Sequence, residues 1–413
     1  MELKPGYKQT EVGVIPEDWD VQPLERLSSK IMVGIASAAT HAYRSSGVPM
    51  FRNQNIKEGW LDDSDLRFLD SGFDELFRGK RLLGGDLLTA RTGYPGTTAV
   101  VPSEYSGAQS FTSLITRPDA SIVNSGYLCL YINSPAGKAF FEQSQIGGAQ
   151  KNVNANSLKK MPVAFPKAKE EQESIADGVA TVDAFISSLE NLISKKHAIK
   201  QAAMQELLTS KRRLPGFEGE WEVKRLGDIT EIDPESIGAA TLPDFRFNYI
   251  SLEDVEHGNL RSHSEQVFKS APSRARRRLR RNDVLVSTVR PNLLSHLLFG
   301  ERGGIWVAST GFSVVRCKPV MACPGYVFAH LFAEGVNRQI EALLTGSNYP
   351  AINSKDVRAL EIPLPPYPEQ CAIAAVLSDI DTELSTLEAR RDKTRDLKQG
   401  MMQELLTGRT RLT

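Results

Sequence analysis

The chain contains 413 residues, which is enough for two or three domains that each bury a hydrophobic core of their own. Lysine and arginine together number 50, as do aspartate and glutamate, so the formal net charge is zero. This balance argues against a protein whose entire surface is basic for binding nucleic acid, although it leaves local basic faces open.

The cysteines and the N-terminus both predict a soluble protein of the cytoplasm. The N-terminal MELKPGYKQTEVG lacks the apolar segment of a signal peptide, and no stretch approaches the length of a membrane span. The cysteines form no CxxC pair and have no nearby histidine at metal-ligand spacing, so we expect reduced, buried thiols and no metal site. These cysteines are Cys129, Cys317, Cys323 and Cys371.

Residues 1–166 are predicted to form a first globular domain. Short apolar runs such as LLGGDLLTA, TTAVVP and SLITRP alternate with Gly, Pro, Asn and Asp, a pattern typical of short strands and turns. The helical segment SGYLCLYINSPAGKAFFEQSQ follows these runs. We therefore expect an α+β domain whose twisted sheet is backed by one or two helices.

Residues 167–214 are predicted to form one long helix, because its apolar residues recur at spacings of 4 and 3 and no proline interrupts it. The heptad seam consists of Ile175, Val179, Val182, Ile186, Leu189 and Ile193. An apolar stripe usually belongs to an ordinary core helix, but such helices average roughly 11–12 residues. A helix of about 40 residues would extend roughly 60 Å.

The second half of the chain has the same organisation. Residues 215–366 are predicted to form a second α+β domain, with the apolar runs NDVLVSTV, GIWVAS and FSVVRCKP, and residues 367–413 a second long helix. The seam of this helix consists of Ile373, Leu377, Ile380, Leu384 and Leu387.

The two halves are an internal repeat. MQELLT at 204–209 recurs at 402–407, and EEQESIADGVATVDAFISSLE (170–190) aligns without a gap with PEQCAIAAVLSDIDTELSTLE (368–388). The match is strong in the long helices and weak in the domains between them, so the two halves share their helices and differ in the sequences of their domains. A tandem repeat folded about a pseudo-two-fold axis places equivalent elements head to tail, so we expect the helices to pair as an antiparallel coiled coil.

The seam becomes polar in the middle of each helix, at Lys196 and Lys200 and at Arg391 and Lys398. Such positions are either solvated or covered by another protein, and the sequence leaves both alternatives open.

No catalytic constellation is recognisable, since the chain has no P-loop, HExxH or GxSxG motif. LPPY (364–367) resembles the Asp/Asn-Pro-Pro-Tyr loop of adenine methyltransferases, but Leu364 stands where that loop has the residue that binds the target amino group. GFEGEW (216–221) opens no helix after a strand, which argues against a cofactor loop. We interpret the chain as a binding protein with no catalytic residues and no cofactor of its own.

Polar loop clusters recur at equivalent places in both halves while their residues change. RNQN (52–55) corresponds to SLED (251–254), TARTGYPG (89–96) to VSTVRPN (286–292), and AQKNVN (149–154) to NYPAIN (348–353). Arg and Lys hydrogen-bond to guanine, and Asn and Gln hydrogen-bond to adenine. Such clusters are therefore typical of two domains that recognise different DNA sequences. The alternative interpretation is that these clusters are ordinary polar loop tips, which occur on any fold.

SRARRRLRRND (273–283) is the most basic stretch, and a charge run of this kind is usually a solvated face. On DNA it would neutralise phosphates without reading bases. The predicted DNA-binding residues of both halves are Arg52, Asn53, Gln54, Asn55, Arg91, Thr92, Tyr94, Lys151, Asn152, Asn154, Arg274, Arg276, Arg277, Arg278, Arg290, Asn292, Asn348 and Tyr349.

The chain resembles the DNA-specificity subunits of type I restriction-modification systems. The resemblance covers essentially the full length and depends on YKQTEVGVIPEDWDVQPL, on EEQ and PEQ followed by IA after a proline-terminated strand, on MQELLTSKRRLPGFEGEWEVKRLGDI and on the closing MQELLTGRTRL. It implies two target-recognition domains joined by two long antiparallel helices.

The resemblance also implies a function without catalysis. Each domain would read one half of a bipartite double-stranded DNA site, and the helices would fix the spacing. They would also dock two modification subunits, which carry S-adenosylmethionine and methylate adenine N6, and restriction subunits can join. Two rivals remain: an enzyme with an unrecognised methyltransferase or nuclease site, and a coiled-coil scaffold without a DNA role.

Overall fold

A computed structural model describes residues 5–144, 153–301, 303–344 and 350–412. The chain forms two compact units. Unit 1 contains Met1–Leu189 and Arg390–Thr413, and unit 2 contains Glu190–Ala389. Each of the two long helices contributes one part to each unit, so each unit is a globular domain with two helix segments, and the globular parts correspond to the recognition domains that the resemblance implies.

Unit 1 contains twelve strands within its described part, and four helices precede the first long helix. The strands are β1 (Tyr7–Thr10), β2 (Gly13–Pro16), β3 (Trp19–Pro23), β4 (Ser28–Val33), β5 (Tyr43–Arg44), β6 (Val48–Arg52), β7 (Arg67–Leu69), β8 (Leu87–Thr89), β9 (Thr98–Val100), β10 (Gln109–Phe111), β11 (Leu114–Pro118) and β12 (Pro162–Pro166). The helices are α1 (Ser71–Leu76), α2 (Ser125–Asn133), α3 (Pro135–Ser144), α4 (Ala155–Lys159) and the long α5 (Lys169–Leu207).

Unit 2 ends with the same order of elements as unit 1: a strand, three short helices, a strand and a long helix. The described strands are β13 (Glu222–Arg225), β14 (Thr230–Ile232), β15 (Arg246–Ile250), β16 (Val255–Glu256), β17 (Asn259–Leu260), β18 (Ser264–Val267), β19 (Ala275–Leu279), β20 (Val284–Ser287), β21 (Leu297–Leu298), β22 (Trp306–Ser309), β23 (Phe312–Cys317) and β24 (Glu361–Leu364). The helices are α6 (Leu226–Ile229), α7 (Pro324–His330), α8 (Glu334–Leu343), α9 (Ser354–Ala359) and the long α10 (Tyr367–Leu405).

Two four-stranded sheets form the body of each recognition domain. In unit 1 the strand orders are β4-β11-β8-β9 and β10-β6-β7-β5, and in unit 2 they are β14-β23-β20-β21 and β18-β15-β22-β19. One pair in each domain is parallel: β10 with β6, where Gln109 lies opposite Met50, and β22 with β15, where Trp306 lies opposite Asn248. The α+β class is as predicted, and the sequence did not reveal the division into two sheets.

The MQELLT repeat completes the core of each recognition domain. Met402, Leu405 and Leu406, at the end of α10, are buried with Trp19 in the core of unit 1. Leu207 and Leu208, at the end of α5, join the core of unit 2. The helix that follows one domain in the chain therefore closes the core of the other domain.

The long helices are antiparallel within each unit. In unit 1, Lys398 Nζ lies 2.6 Å from Asp183, and the Arg390 guanidinium lies 5.1 Å from the centre of the Phe185 ring. In unit 2, Lys200 Nζ lies 2.5 Å from Asp381, and Lys196 also pairs with Glu383. Rising numbers in α5 meet falling numbers in α10, which is the predicted direction.

These ion pairs differ from both explanations that the sequence left open for the polar part of the seam. Lys196, Lys200 and Lys398 reach carboxylates of the facing helix. Arg391 pairs with the adjacent Asp392, at 2.8 Å. The three lysines therefore continue the seam as cross-helix ion pairs.

The apolar seam has two kinds of neighbour. Ile175 and Val179 lie in the core of unit 1, and Ile373 and Leu377 lie in the core of unit 2. The buried residues beyond them are Ile186, Leu189, Ile193 and Leu384, while Val182, Ile380 and Leu387 are partly exposed. The start of each seam thus fixes its helix to a recognition domain, because its residues pack into that domain's core.

The cysteines are all free thiols. Cys129 is buried, and burial raises the pKa of its thiol to about 12, which makes it a poor nucleophile. Cys317, Cys323 and Cys371 are partly exposed, which corrects the expectation that all four are buried. None of the described helices is both long enough and apolar enough to cross a membrane.

Candidate nucleic-acid interface

Two of the predicted polar clusters of domain 1 come together around one cleft. Residues 52–54 lie at the end of β6 and residues 92–94 follow β8, and both segments line a cleft of about 620 Å³. The strands belong to different sheets, so the cleft lies where the ends of the two sheets meet. Arg52, Asn53, Gln54, Thr92 and Tyr94 of the predicted set are therefore neighbours.

The Asn53 amide connects three segments of the cleft. Its Oδ1 accepts a hydrogen bond from the Arg91 backbone N–H at 2.9 Å. Its Nδ2 donates to Thr92 Oγ1 and to Thr112 Oγ1, both at 3.1 Å. Thr112 itself has a positive φ of 59°, a strained conformation for a β-branched residue that is held in place by its surroundings.

The 91–96 loop is shaped by a close packing contact at Gly96. This glycine has a φ of 98°, and a Cβ atom at this position would lie 2.5 Å from the Phe141 ring. Any other residue would therefore displace the loop. The loop presents Tyr94, whose side chain is 86% exposed and thus available to a ligand.

Asp65 neutralises part of the positive charge beside the cleft. Arg52 donates to its Oδ2 at 2.8 Å, and Gln54 Nε2 donates to the same oxygen at 3.2 Å. The hydrogen bond and the positive charge of Arg52 lower the pKa of Asp65 below its ordinary value. Arg52 and Gln54 are therefore oriented by a carboxylate that the sequence analysis did not select, although it stands in the acidic run DDSD (62–65).

Asn55 does not belong to the interface, which corrects the prediction for this residue. It is 2% exposed, and its amide is bonded to the backbone on both sides. Its Nδ2 donates to the carbonyls of Asp62 and Asp65, while its Oδ1 accepts from the Arg52 backbone N–H. The residue stabilises the turn after β6.

Asn154 caps a helix. Its Oδ1 accepts from the Ser157 backbone N–H at 2.8 Å at the start of α4. Asn353 caps α9 at the equivalent position of domain 2. Helix capping therefore explains why asparagine recurs at a position where the sequence pattern predicts a base-reading residue. The adjacent Val153 N–H donates to the Arg91 carbonyl at 3.4 Å, which places this segment beside the 91–96 loop.

Backbone hydrogen bonds hold the corresponding loop of domain 2. The Arg290 N–H donates to the Pro350 carbonyl at 2.8 Å, and the Ile352 N–H donates to the Thr288 carbonyl at 2.9 Å. Arg290 has a φ of 49°, which turns the chain sharply after β20 and leaves the side chains of Arg290 and Asn292 exposed.

The basic run lies on β19, at the edge of its sheet, and acidic residues neutralise much of it. Arg277 lies 3.0 Å from Asp233, and Arg278 lies 3.8 Å from Glu235. The net effect of these surroundings is to lower the pKa of Glu235. Burial alone would raise this pKa, but the hydrogen bond and charge of Arg316, together with the charges of Arg280 and Arg278, outweigh the effect of burial. These carboxylates stand about 40 residues before the run, a separation at which sequence alone gives no signal of pairing.

The remaining arginines of the run differ from one another. Arg276 packs its guanidinium over the Phe268 ring at 5.2 Å, and Arg274 is exposed at the start of the strand. The predicted site residues Lys151, Asn152, Asn348 and Tyr349 lie outside the described residues. The DNA-contacting role of Arg274, Arg276, Arg277 and Arg278 stays a prediction.

The sequence profile of the type I restriction-modification DNA specificity domain matches this chain twice, over residues 16–200 and 218–394. The chain belongs to this family. The two matches correspond to the two halves of the repeat, and membership assigns the chain a recognition role rather than catalysis. The fold is thus that of a DNA-specificity protein.

Curated relatives of the same family align with the whole chain or with part of it. A protein of Methanocaldococcus jannaschii, assigned as the type I restriction enzyme MjaX specificity subunit, is 25% identical over 435 residues, which is 98% of this chain and 97% of the relative. The Escherichia coli type I restriction enzyme EcoBI specificity subunit is 23% identical over 198 residues, 47% of this chain and 41% of that protein.

Solved structures share the fold. The type I restriction-modification S subunit from M. genitalium is similar with a TM-score of 0.61 and 12% identity, over 98% of both chains. A chain from a study of complex assembly and conformational transition in a type I restriction-modification system gives a TM-score of 0.53 with 18% identity, over 95% of this chain and 99% of that chain.

Proposed function

We propose that this chain is the sequence-specific DNA-binding subunit of a type I restriction-modification enzyme. Each recognition domain reads one half of a bipartite site on double-stranded DNA, and the paired helices set the spacing between the halves. The observation that carries the proposal is that the family profile matches the chain twice, once in each half of the repeat. The polar loop clusters occupy equivalent positions in the two halves but differ in their residues, as expected for domains that recognise different sequences.

The chemistry belongs to partner subunits in this proposal. Two modification subunits dock on the helices, bind S-adenosylmethionine and methylate adenine N6, and restriction subunits join to form the nuclease. The chain itself needs no cofactor, because its task is to choose the site. The cross-helix ion pairs support a rigid spacer, since they fix the register of α5 against α10.

The test is to co-express the chain with the modification subunit encoded beside it and to map modified adenines across the host genome. A split motif with a fixed non-specific gap is expected, and it should disappear when this chain is omitted. A continuous motif, or modification that does not depend on this chain, would contradict the proposal.

A further inference from the structure

We infer that Asn53 is a positioning residue that aligns the recognition loops of domain 1, and that it does not itself read a base. The inference rests on the proposed function. It goes beyond the family assignment, because it separates the residues that hold this interface together from those that face DNA.

The hydrogen-bonding capacity of the Asn53 amide decides between the two roles. Asparagine reads adenine with two bonds at once, donating from its amide nitrogen to N7 and accepting from N6. The amide nitrogen has two hydrogens, and Asn53 donates one to Thr92 Oγ1 and the other to Thr112 Oγ1. No donor remains for N7 unless one of these bonds breaks.

The bonds of Asn53 join segments that are distant in the sequence. Thr92 lies in the loop after β8, and Thr112 lies between β10 and β11. The bond from the Arg91 N–H fixes the backbone immediately before the exposed part of the 91–96 loop. One side chain therefore sets the relative position of three segments that line the cleft, and its loss moves all of them together.

Domain 2 holds its loop in a different way. Leu252 occupies the position of Asn53 in the repeat, and its apolar side chain makes no hydrogen bond to the neighbouring loops. The loop after β20 is fixed instead by the backbone bonds between Arg290 and Pro350 and between Ile352 and Thr288. The half-site read by domain 2 therefore provides an internal control for changes at Asn53.

The experiment compares three variants in the complex with the modification subunit, by mapping modified adenines genome-wide. Asn53→Ala removes all three bonds, Thr92→Val removes one acceptor, and Thr92→Ser keeps a hydroxyl at that position. We expect Asn53→Ala to relax discrimination by roughly fivefold or more at two or more base positions of the domain 1 half-site. Thr92→Val should relax the same positions less strongly than Asn53→Ala, and Thr92→Ser, which keeps the hydroxyl acceptor, should relax them less than Thr92→Val. The domain 2 half-site should stay unchanged in all three variants.

Other outcomes overturn the inference. A direct base contact predicts that Asn53→Ala relaxes a single position and that Thr92→Val changes nothing. A merely structural role predicts a lower thermal unfolding midpoint, with both half-sites losing occupancy in parallel. If the unmodified chain directs no split motif, the proposed function itself is wrong, whereas a split motif that Asn53→Ala leaves intact overturns only this inference.

Discussion

Arg91 and Arg290 occupy equivalent places in the repeat, at the loop after β8 and at the loop after β20. We expect Arg91→Ala to weaken recognition of one half-site and Arg290→Ala to weaken recognition of the other, because each arginine stands on one domain's loop. The loss should be about 1–3 kcal/mol per half-site if the side chain contacts a base.

Binding to duplexes in which only one half-site is scrambled measures the two effects separately. Each variant is the matched control of the other. Equal losses at both half-sites, or no loss at either, would remove these residues from the interface.

His330 and His296 make unit 2 sensitive to acid. Burial lowers the pKa of His330 to about 3 and that of His296 to about 4, from an ordinary value of 6.5. The unfolded chain therefore binds more protons than the folded chain below pH 6.5, and stability is full above that pH and falls as the pH decreases. At pH 5 each histidine should cost unit 2 about 2 kcal/mol relative to pH 7.

Urea unfolding of the intact chain at pH 7 and pH 5 checks this prediction. His330→Phe should remove about half of the pH dependence, whereas His41→Ala, at an exposed histidine of unit 1, should leave it unchanged. Domain 1 has Tyr131 at the position equivalent to His330, so its stability should vary less over this range. A pH dependence that survives His330→Phe in full would contradict the assignment.

Asparagine shows what sequence could and could not predict at this scale. The polar clusters after β6, β8 and β20 lie at loops as predicted, because Gly, Pro, Asn and Arg between apolar runs mark loop tips. The roles of individual residues were not, since Asn53, Asn55 and Asn154 find partners that lie in other segments or in the local backbone. One residue type links loops, stabilises a turn and caps a helix, and only the surroundings distinguish these roles.

At the scale of elements, an arginine after each long helix connects it to the start of the other. Arg411 binds Glu171 and Asp18 in unit 1, and Arg213 binds Glu369 in unit 2. The hydrogen bonds that Arg411 donates to Glu171 and Asp18 raise the pKa of its guanidinium. The Glu171 and Glu369 side chains are 5% and 0% exposed, so removing the arginine leaves a buried carboxylate without a partner.

We expect Arg411→Ala to destabilise unit 1, and Arg213→Ala to destabilise unit 2, by about 3 kcal/mol each. Arg338→Ala, which breaks an exposed pair with Glu334, should cost less than about 0.5 kcal/mol. Urea unfolding measures all three losses. Replacing Arg411 and Glu171 together by methionine should restore much of the stability, and equal losses for Arg411→Ala and Arg338→Ala would contradict the argument.

The long helices were predictable and the sheets were not, for a physical reason. The buried face of a helix consists of apolar residues three and four positions apart, so it can be recognised within a short stretch of sequence. The seams that begin at Ile175 in α5 and at Ile373 in α10 are of this kind. Strand pairing joins distant segments, as in β12 with β3, where Phe165 lies opposite Asp20. Sequence therefore indicated short strands and left their order open.

At the scale of the whole molecule, the repeat makes a matched deletion possible. Both α5 and α10 contain 39 residues, and residues 188–194 and 386–392 are equivalent heptads in the two helices. Removing both heptads keeps the seam in register, because each helix loses one full period of its apolar pattern. The helices shorten by roughly 10 Å, which is the length of about three base pairs.

We expect this double deletion to shorten the gap in the recognised motif while both half-sites keep their sequences, since the recognition loops are untouched. Genome-wide mapping of modified adenines gives the gap and both half-sites in one measurement. Deleting the heptad from α5 alone is the control, and it should abolish modification because Lys200 and Asp381 no longer lie opposite each other. A folded double deletion that retains the original gap would show that the helices do not set the spacing, and the source of the spacing would then lie in the partner subunits.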